Sequence, residues 1–122
     1  MAKFTEAIEK ILANEGGYIF DRDDAGGETN FGISKRAYPK VDIKNLTRQK
    51  AETIYLNDYW QPIKGNDIRD QEIAESIFDF AVNAGVKTSV KLAQRCLCVE
   101  EDGKIGPMTI KALNEIVPEL FL

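Results

Sequence analysis

The chain has 122 residues, with 16 Lys and Arg, 20 Asp and Glu, two Cys and no His. This length suits one compact domain, and the absence of histidine excludes Ser-His-Asp and Cys-His catalysis and HExxH zinc sites. A general acid or base must therefore be a carboxylate, Lys, Tyr or Cys. The net charge of −4 disfavours nucleic acid as a partner, because phosphate binding requires a basic patch.

No segment approaches the ~20 apolar residues of a membrane helix. The amino terminus, MAKFTEAIEK, lacks the apolar region of a standard signal peptide, which predicts synthesis in the cytoplasm without a membrane segment. Cys96 and Cys98 flank one leucine, and neighbours this close on a helix rarely pair. We interpret both as small core residues of a protein made in a reducing compartment, with metal binding or redox use as the alternative.

The hydrophobic pattern predicts a mainly helical chain. A first amphipathic helix covers Lys3 to Asn14 and is followed by two glycines. The segment from Tyr18 to Gly32 loses the pattern, so we expect a long loop, of a kind that is usually functional, with room for a short hairpin. Ser34 is predicted to cap a short helix that stops before Pro39. Further helices are predicted from Thr47 to Pro62, Asp70 to Gly85, Thr88 to Leu97 and Pro107 to Ile116.

Glu15 is the first candidate for chemistry. It lies four residues after Ile11 and seven after Ile8, so it continues the apolar stripe of the first helix. It also falls at the carboxyl end, where the helix dipole disfavours a carboxylate. Burial and the dipole both raise the pKa of a carboxyl, which suits a general acid. The alternative is a glutamate at a frayed helix end that points to solvent.

The acidic, glycine-rich segment 21–30 is the second candidate. It resembles a calcium loop at Asp21, Asp23 and Gly26, but Ala25 and Gly32 stand where oxygen ligands are required, which disfavours calcium. A solvated turn is another interpretation.

The functional interpretation of this segment is a second carboxylate and the hydroxyl of Thr29, brought opposite Glu15. Glycosidases flank the scissile bond with two carboxylates. The pair Gly26-Gly27 would let sugar rings approach the backbone closely.

Four aromatic residues suit stacking on sugar faces, because they combine a flat apolar ring with a polar tip. Tyr18 belongs to the loop. Tyr55 and Tyr59 share one helix face, so packing in the core is an equally good interpretation for them. Trp60 lies off that face, just before Pro62, which favours a role in a groove.

Several of these segments together resemble glycoside hydrolase family 108, whose members are N-acetylmuramidases found as phage endolysins and at bacterial secretion-activator loci. The resemblance rests on the motif EGGY at 15–18, the spaced Asp, Gly, Thr and Asn residues of 21–33, Tyr59-Trp60 before Pro62, and FDFAVNAG at 78–85. DGKIGP at 102–107 with Thr109 resembles the peptidoglycan-binding segment that often follows. Arg22 departs from the pattern, since a proline is common there, and family chains usually continue further, which suggests a truncated or variant form.

The resemblance implies a lysozyme-like fold, mainly α, of the α+β class, with a small β element or irregular loop beside the catalytic helix. It implies a catalytic region at residues 1–85 and a helical, peptidoglycan-binding-like segment at 86–122, packed with it as one unit. The implied substrate is the β-1,4 bond between N-acetylmuramic acid and N-acetylglucosamine in peptidoglycan. We expect a monomer that needs no metal or cofactor.

The resemblance also implies roles for individual residues. The glutamate of EGGY is the proton donor of the family and maps to Glu15. Asp24, with Asp23 as the alternative, would stabilise the oxocarbenium-like transition state or position water, and Thr29 would hold that water or the Asp. The implied substrate-binding residues are Tyr18, Gly26, Gly27, Asn30, Tyr59, Trp60 and Asn83.

Two other functions stay open. A lytic transglycosylase uses one glutamate and forms an anhydro-sugar, whereas a non-catalytic wall-binding or secretion-accessory protein releases no sugar. With no signal peptide, action on the cell wall would require lysis, a holin-like pore or a dedicated secretion system.

Overall fold

The computed structural model describes residues 1–14, 17–20 and 27–121. Its helices are α1 (Phe4–Asn14), α2 (Arg48–Tyr55), α3 (Gln71–Ala84), α4 (Val86–Cys96), α5 (Pro107–Glu115) and α6 (Pro118–Phe121). Its strands are β1 (Ile19–Phe20), β2 (Glu28–Asn30) and β3 (Ile33–Ser34), which form one antiparallel sheet in the order β1-β2-β3. The prediction of a mainly helical, lysozyme-like α+β fold with a small β element is confirmed.

The chain divides into two compact units. We call Met1–Ala7 together with Tyr55–Leu122 the helical unit, and Ile8–Ile54 the sheet unit. Residues 86–121 belong to the same unit as residues 55–85, so the helices on either side of Gly85 pack together. The functional division between residues 1–85 and 86–122 stays a prediction.

Local signals explain the helices of the helical unit. The carboxylate of Asp70 accepts a hydrogen bond from the backbone N–H of Ile73 at 2.9 Å, which caps α3 as predicted. Gly85, with φ of +100°, ends α3 and leads directly into α4, which begins two residues before the predicted Thr88. Pro107 occupies the first turn of α5, where its missing N–H costs nothing.

The core of the helical unit is built around aromatic rings. The rings of Trp60 and Phe78 meet edge to face, with centroids 5.3 Å apart, and Phe4 lies 5.7 Å from Trp60. Tyr55 meets Phe78 edge to face at 6.4 Å. Such arrangements are favoured by the aromatic quadrupole. Buried aliphatic side chains surround the rings, among them Ile63, Ile68, Ile73, Ile77, Val90 and Leu113.

The sheet unit has shorter elements and a smaller core. Among its described residues, the buried side chains are Ile8, Ile11, Asn30, Ile33, Ile43, Leu46 and Ala51. The Thr47 hydroxyl accepts a hydrogen bond from the Lys50 N–H at 3.2 Å, so Thr47 caps α2 as predicted. The predicted short helix at Ser34 is wrong. Ser34 accepts bonds from the N–H groups of Ala37 and Tyr38, but this single turn is not extended, because Pro39 follows.

Among the described residues, no helix combines the length and the apolar character that crossing a membrane requires.

Candidate active site

Two of the predicted site residues that the structure describes, Thr29 and Asn30, lie in the sheet, and Tyr18 and Gly27 directly precede its strands β1 and β2. Glu15, Asp23, Asp24 and Gly26 lie outside the described residues, so their predicted roles stay predictions. β1 and β2 pair on either side of segment 21–26, with Ile19 opposite Thr29 and Phe20 opposite Glu28. The expected hairpin is therefore present.

The register separates two residues that were predicted to share one site. Side chains alternate between the faces of a strand, so Thr29 projects from one face of β2 and Asn30 from the other. Thr29 pairs with Ile19 and Ser34. Thr29 and Ser34 are half-buried, whereas Asn30 and Ile33 on the other face are buried, so Thr29 lies on the more accessible face of β2.

Asn30 has a structural role, and the prediction that it binds substrate is wrong. The residue is only 6% exposed. Its side-chain amide donates to the backbone carbonyl of Ile43 at 3.0 Å, with longer contacts to those of Leu46 at 3.4 Å and Lys44 at 3.5 Å. A buried amide that satisfies several carbonyls ties the sheet to segment 43–46 and is not available to a sugar.

Tyr18 is 40% exposed and is held by a carboxylate that the sequence argument did not select. Its hydroxyl donates to Oε2 of Glu28 at 2.7 Å. This bond raises the pKa of the Tyr18 hydroxyl, because ionisation would place two anions side by side, and desolvation adds to the effect. Glu28 pairs with Phe20, two residues after Tyr18, so it lies diagonally across the hairpin from Tyr18 on the same face. An acidic residue at this diagonal position is the sequence signal that could have identified Glu28.

Gly27 directly precedes β2 and has φ of +68°. A Cβ at this position would meet no atom within 4 Å. The backbone conformation, rather than lack of space, therefore requires glycine here. The open space beside it is compatible with the predicted approach of a sugar ring.

Trp60 is a core residue, and the predicted groove role is wrong. Its side chain is 0% exposed, so it cannot stack on a ligand. The indole N–H donates to Oδ1 of Asn66 at 2.9 Å. A Cβ at Gly65 would lie 2.2 Å from the indole ring, so only glycine fits beside it.

The position of Trp60 follows from a change of helix type. After Tyr55 the chain continues as a π-helical segment, Leu56–Trp60, closed by a bond of 2.9 Å from the Gln61 N–H to the Leu56 carbonyl. A π turn holds about one residue more than an α turn. Trp60 therefore reaches the buried face, while Tyr59 is half-buried with its ring centroid 5.8 Å from that of Tyr55.

Asn83 lies near the carboxyl end of α3 and is exposed. Its side-chain amide donates to the carbonyl of Asp79 one turn earlier, at 2.9 Å. This bond is local to the helix, so it leaves the predicted role of Asn83 in binding substrate as a prediction.

The cysteines are exposed free thiols, which corrects their interpretation as core residues. Cys96 follows the buried Val90 by six residues, and at about 100° per residue it points roughly 120° away from that side chain. Cys98 lies beyond the end of α4, with φ of +58°.

The turn at Asp102-Gly103 is organised by one buried side chain that the sequence argument missed. Gln94 of α4 is 1% exposed. Its Nε2 donates to Asp102 Oδ1 and the Lys104 carbonyl at 2.9 Å and to Thr109 Oγ1 at 3.2 Å, and its Oε1 accepts from the Gly103 N–H at 3.0 Å. In the sequence, Gln94 lies one turn after Val90 on the apolar stripe of the helix. A polar residue on that stripe could have indicated a buried hydrogen-bonding role.

The pKa of Asp102 is lowered chiefly by the backbone N–H of Lys104, which donates to Oδ1 at 3.0 Å. The Gln94 amide acts in the same direction. Asp102 is therefore a carboxylate at neutral pH. Within the described part of the chain, no three His, Cys, Asp or Glu side chains converge to hold a metal ion.

Comparison with known proteins identifies the family. The family model Glycosyl hydrolase 108 matches residues 8–85. Among solved structures, SagA of Brucella abortus is 32% identical with a TM-score of 0.84, and the alignment covers 97% of this chain and 72% of that chain. No curated protein matches the sequence. Because the matched residues make up more than half of the chain and include the predicted catalytic segments, this protein belongs to glycosyl hydrolase family 108, a family of glycosidases.

Proposed function

We propose that this protein is an N-acetylmuramidase, which hydrolyses the β-1,4 bond between N-acetylmuramic acid and N-acetylglucosamine in peptidoglycan. The family match over residues 8–85 carries the proposal, because it includes Glu15 and the whole acidic loop. The substrate would be the glycan of the bacterial cell wall, where the protein would act after release or export.

Glu15 is proposed as the proton donor to the leaving oxygen. α1 ends at Asn14 in the described residues, and its side chains Ala7, Ile8 and Ile11 are buried. Glu15 follows directly in sequence, four residues after Ile11. The sequence spacing predicts that this carboxyl lies at the helix carboxyl terminus on the apolar stripe, where the helix dipole and burial would raise its pKa and suit it to donate a proton.

Asp24, with Asp23 as the alternative, is proposed as the second carboxylate of the pair that glycosidases require. Thr29 would hold the attacking water or the Asp, and its place on the accessible face of β2 supports this role. Tyr18, Gly26, Gly27, Tyr59 and Asn83 are proposed to contact the glycan. Asn30 and Trp60 are left out, since both are buried in structural roles.

The segment 86–122 is proposed to contribute to peptidoglycan binding. The support is the Asp102–Pro107 turn, which resembles the binding motif and is hydrogen-bonded to Gln94. In this proposal the segment acts within the helical unit.

The experiment compares clearing of purified cell walls by wild type, Glu15→Gln and Glu6→Gln. Glu6 is the matched control, because it is an exposed glutamate on the same helix. Removing a general acid should lower the rate about 10²–10⁴-fold. Glu6→Gln should clear walls at the wild-type rate, and all three should melt at similar temperatures. Full activity of Glu15→Gln would refute the proposed proton donor.

A further inference from the structure

A cavity of about 630 Å³ opens in the helical unit, between the end of α4 and the start of α5. This volume lies within the range of sites for small ligands. Its apolar lining comes from Val99, Pro107 and Met108, and Met108 is 79% exposed. No part of the proposed hydrolysis uses these residues.

The start of α5 lines this cavity with Gly106, Met108 and Thr109, which carry the backbone N–H groups of the first turn because Pro107 has none. Gly106 caps the helix without a side-chain bond, and a Cβ there would meet no atom within 4 Å. The first N–H groups of a helix have no partner within it and attract anions.

Two side chains strengthen this preference for an anion. Thr109 is only 5% exposed and lines the cavity, and its oxygen accepts a bond from Gln94 at 3.2 Å. The hydroxyl hydrogen of Thr109 has no acceptor in the described residues. Lys104 adds a positive charge to the lining. A carboxylate is the group that such donors bind well.

The same cavity is also lined by two carboxylates, Glu100 and Asp102. Asp102 is fixed by its bonds from Gln94 and from the Lys104 N–H. A ligand that only carried negative charge would be repelled by these groups, whereas an ammonium group would be attracted. The lining is therefore complementary to a ligand with charges of both signs and an aliphatic body.

We propose that this cavity binds a short peptide that has both a free carboxylate and a free ammonium group. The carboxylate is bound by the start of α5, Thr109 and Lys104, the ammonium group by Glu100 and Asp102, and aliphatic side chains pack on Val99 and Met108. The source of the peptide rests on the proposed function: peptidoglycan carries short peptides, so this site would bind the peptide part of the wall and not the sugar.

The test is an NMR titration of the full chain with L-lysyl-D-alanyl-D-alanine. We expect shift changes centred on residues 98–109. Acetylation of the amines and amidation of the carboxylate should each weaken binding at least about fivefold, because each removes one of the two charges. A chitin tetrasaccharide should leave these signals unchanged.

Variants separate the proposed contacts from general charge effects. Glu100→Gln and Lys104→Gln should each weaken binding about fivefold or more. The matched controls Glu101→Gln and Lys111→Gln remove the same charges from exposed residues outside the cavity lining and should bind like wild type. Three results would each overturn the proposal. The acetylated or amidated peptide could bind as tightly as the free peptide, or the control variants could weaken binding as much as Glu100→Gln and Lys104→Gln. Millimolar tripeptide could also cause no shift changes.

This test is independent of hydrolysis. Glu15→Gln should bind the tripeptide like wild type even where wall clearing is lost. Peptide binding by a wild type that releases no sugar would refute the proposed hydrolysis alone, whereas hydrolysis without peptide binding would refute this site alone.

Discussion

The helical unit packs aromatic rings and long aliphatic side chains around Trp60, which is fully buried. The sheet unit instead has strands of two or three residues, and one buried amide, that of Asn30, ties them to segment 43–46. The proposed catalytic residues belong by sequence to the sheet unit. Short strands and a small core bury less apolar surface, so this unit depends more on individual hydrogen bonds.

We infer from this contrast that the stability of the fold depends mainly on the helical unit, whereas the proposed catalysis depends mainly on the sheet unit. Substitutions in the core of the helical unit should mainly change the free energy of unfolding. Substitutions at exposed positions of the sheet unit should mainly change activity, because they remove few buried contacts.

Trp60→Ala should lower the free energy of unfolding more than any other proposed substitution. Removing a buried indole leaves a cavity and should cost about 3–5 kcal/mol of unfolding free energy. The matched substitution in the sheet unit is Phe20→Ala, at a side chain that is 58% exposed, and it should cost less than about 0.5 kcal/mol. Urea denaturation measures both. Similar values for the two variants would contradict the assignment of Trp60 to the core.

Asn30→Ala should lower the unfolding free energy by about 2 kcal/mol, because buried carbonyls lose their donor. Asn83→Ala is the control, since Asn83 is exposed and bonds only within its own helix. We expect it to change stability by less than about 0.5 kcal/mol while weakening substrate binding. If the Asn30→Ala protein kept wild-type stability but had a raised KM, Asn30 would be a substrate-binding residue and its structural role would be contradicted.

Glu28→Gln should lower the pKa of the Tyr18 hydroxyl towards its ordinary value. The negative charge and the strong hydrogen bond that oppose ionisation are then lost. NMR of carbon-labelled tyrosine follows this titration directly. Because the pair is exposed, stability should change little. An unchanged pKa of Tyr18 would show that the bond to Glu28 is absent in solution.

The smallest expected effects concern two exposed carboxylates, one in each unit. The pKa of Asp42 is lowered chiefly by a hydrogen bond from the Asn45 side chain, and that of Asp102 by the Lys104 N–H. Because folding lowers both values, each group stabilises the fold above its unfolded pKa of about 3.9, and this contribution is lost as pH falls through the folded value. Asp42→Asn and Asp102→Asn should each flatten the acid side of a stability-pH curve. An unchanged curve would contradict both bonds.

The sequence predicted elements whose signals are local. Asp70, Gly85 and Pro107 mark the ends of α3 and α5 by capping and by backbone conformation, which depend on nearby residues alone. The loop with room for a short hairpin was predicted from the loss of helical pattern between Tyr18 and Gly32, where Asp, Gly and Asn dominate. These rules need no knowledge of distant contacts.

The misassigned residues depend on geometry that the sequence does not display. The π turn before Gln61 shifts Trp60 to the buried face, and ideal α-helical periodicity does not anticipate it. The partners of Asn30 lie 13 to 16 residues away in the chain. Because Asn30 lies in the family motif, the sequence suggested that its amide binds a sugar. In the structure the amide instead bonds the backbone of segment 43–46.

Mass spectrometry of the soluble products from purified peptidoglycan tests the central claim most directly. With wild type and Glu6→Gln, the account predicts fragments that end in a reducing N-acetylmuramic acid, and with Glu15→Gln almost no fragments. Anhydro-muramic ends would identify a lytic transglycosylase, and undiminished release by Glu15→Gln would remove Glu15 from the mechanism. Fragments from none of the three proteins would contradict the assignment as a hydrolase.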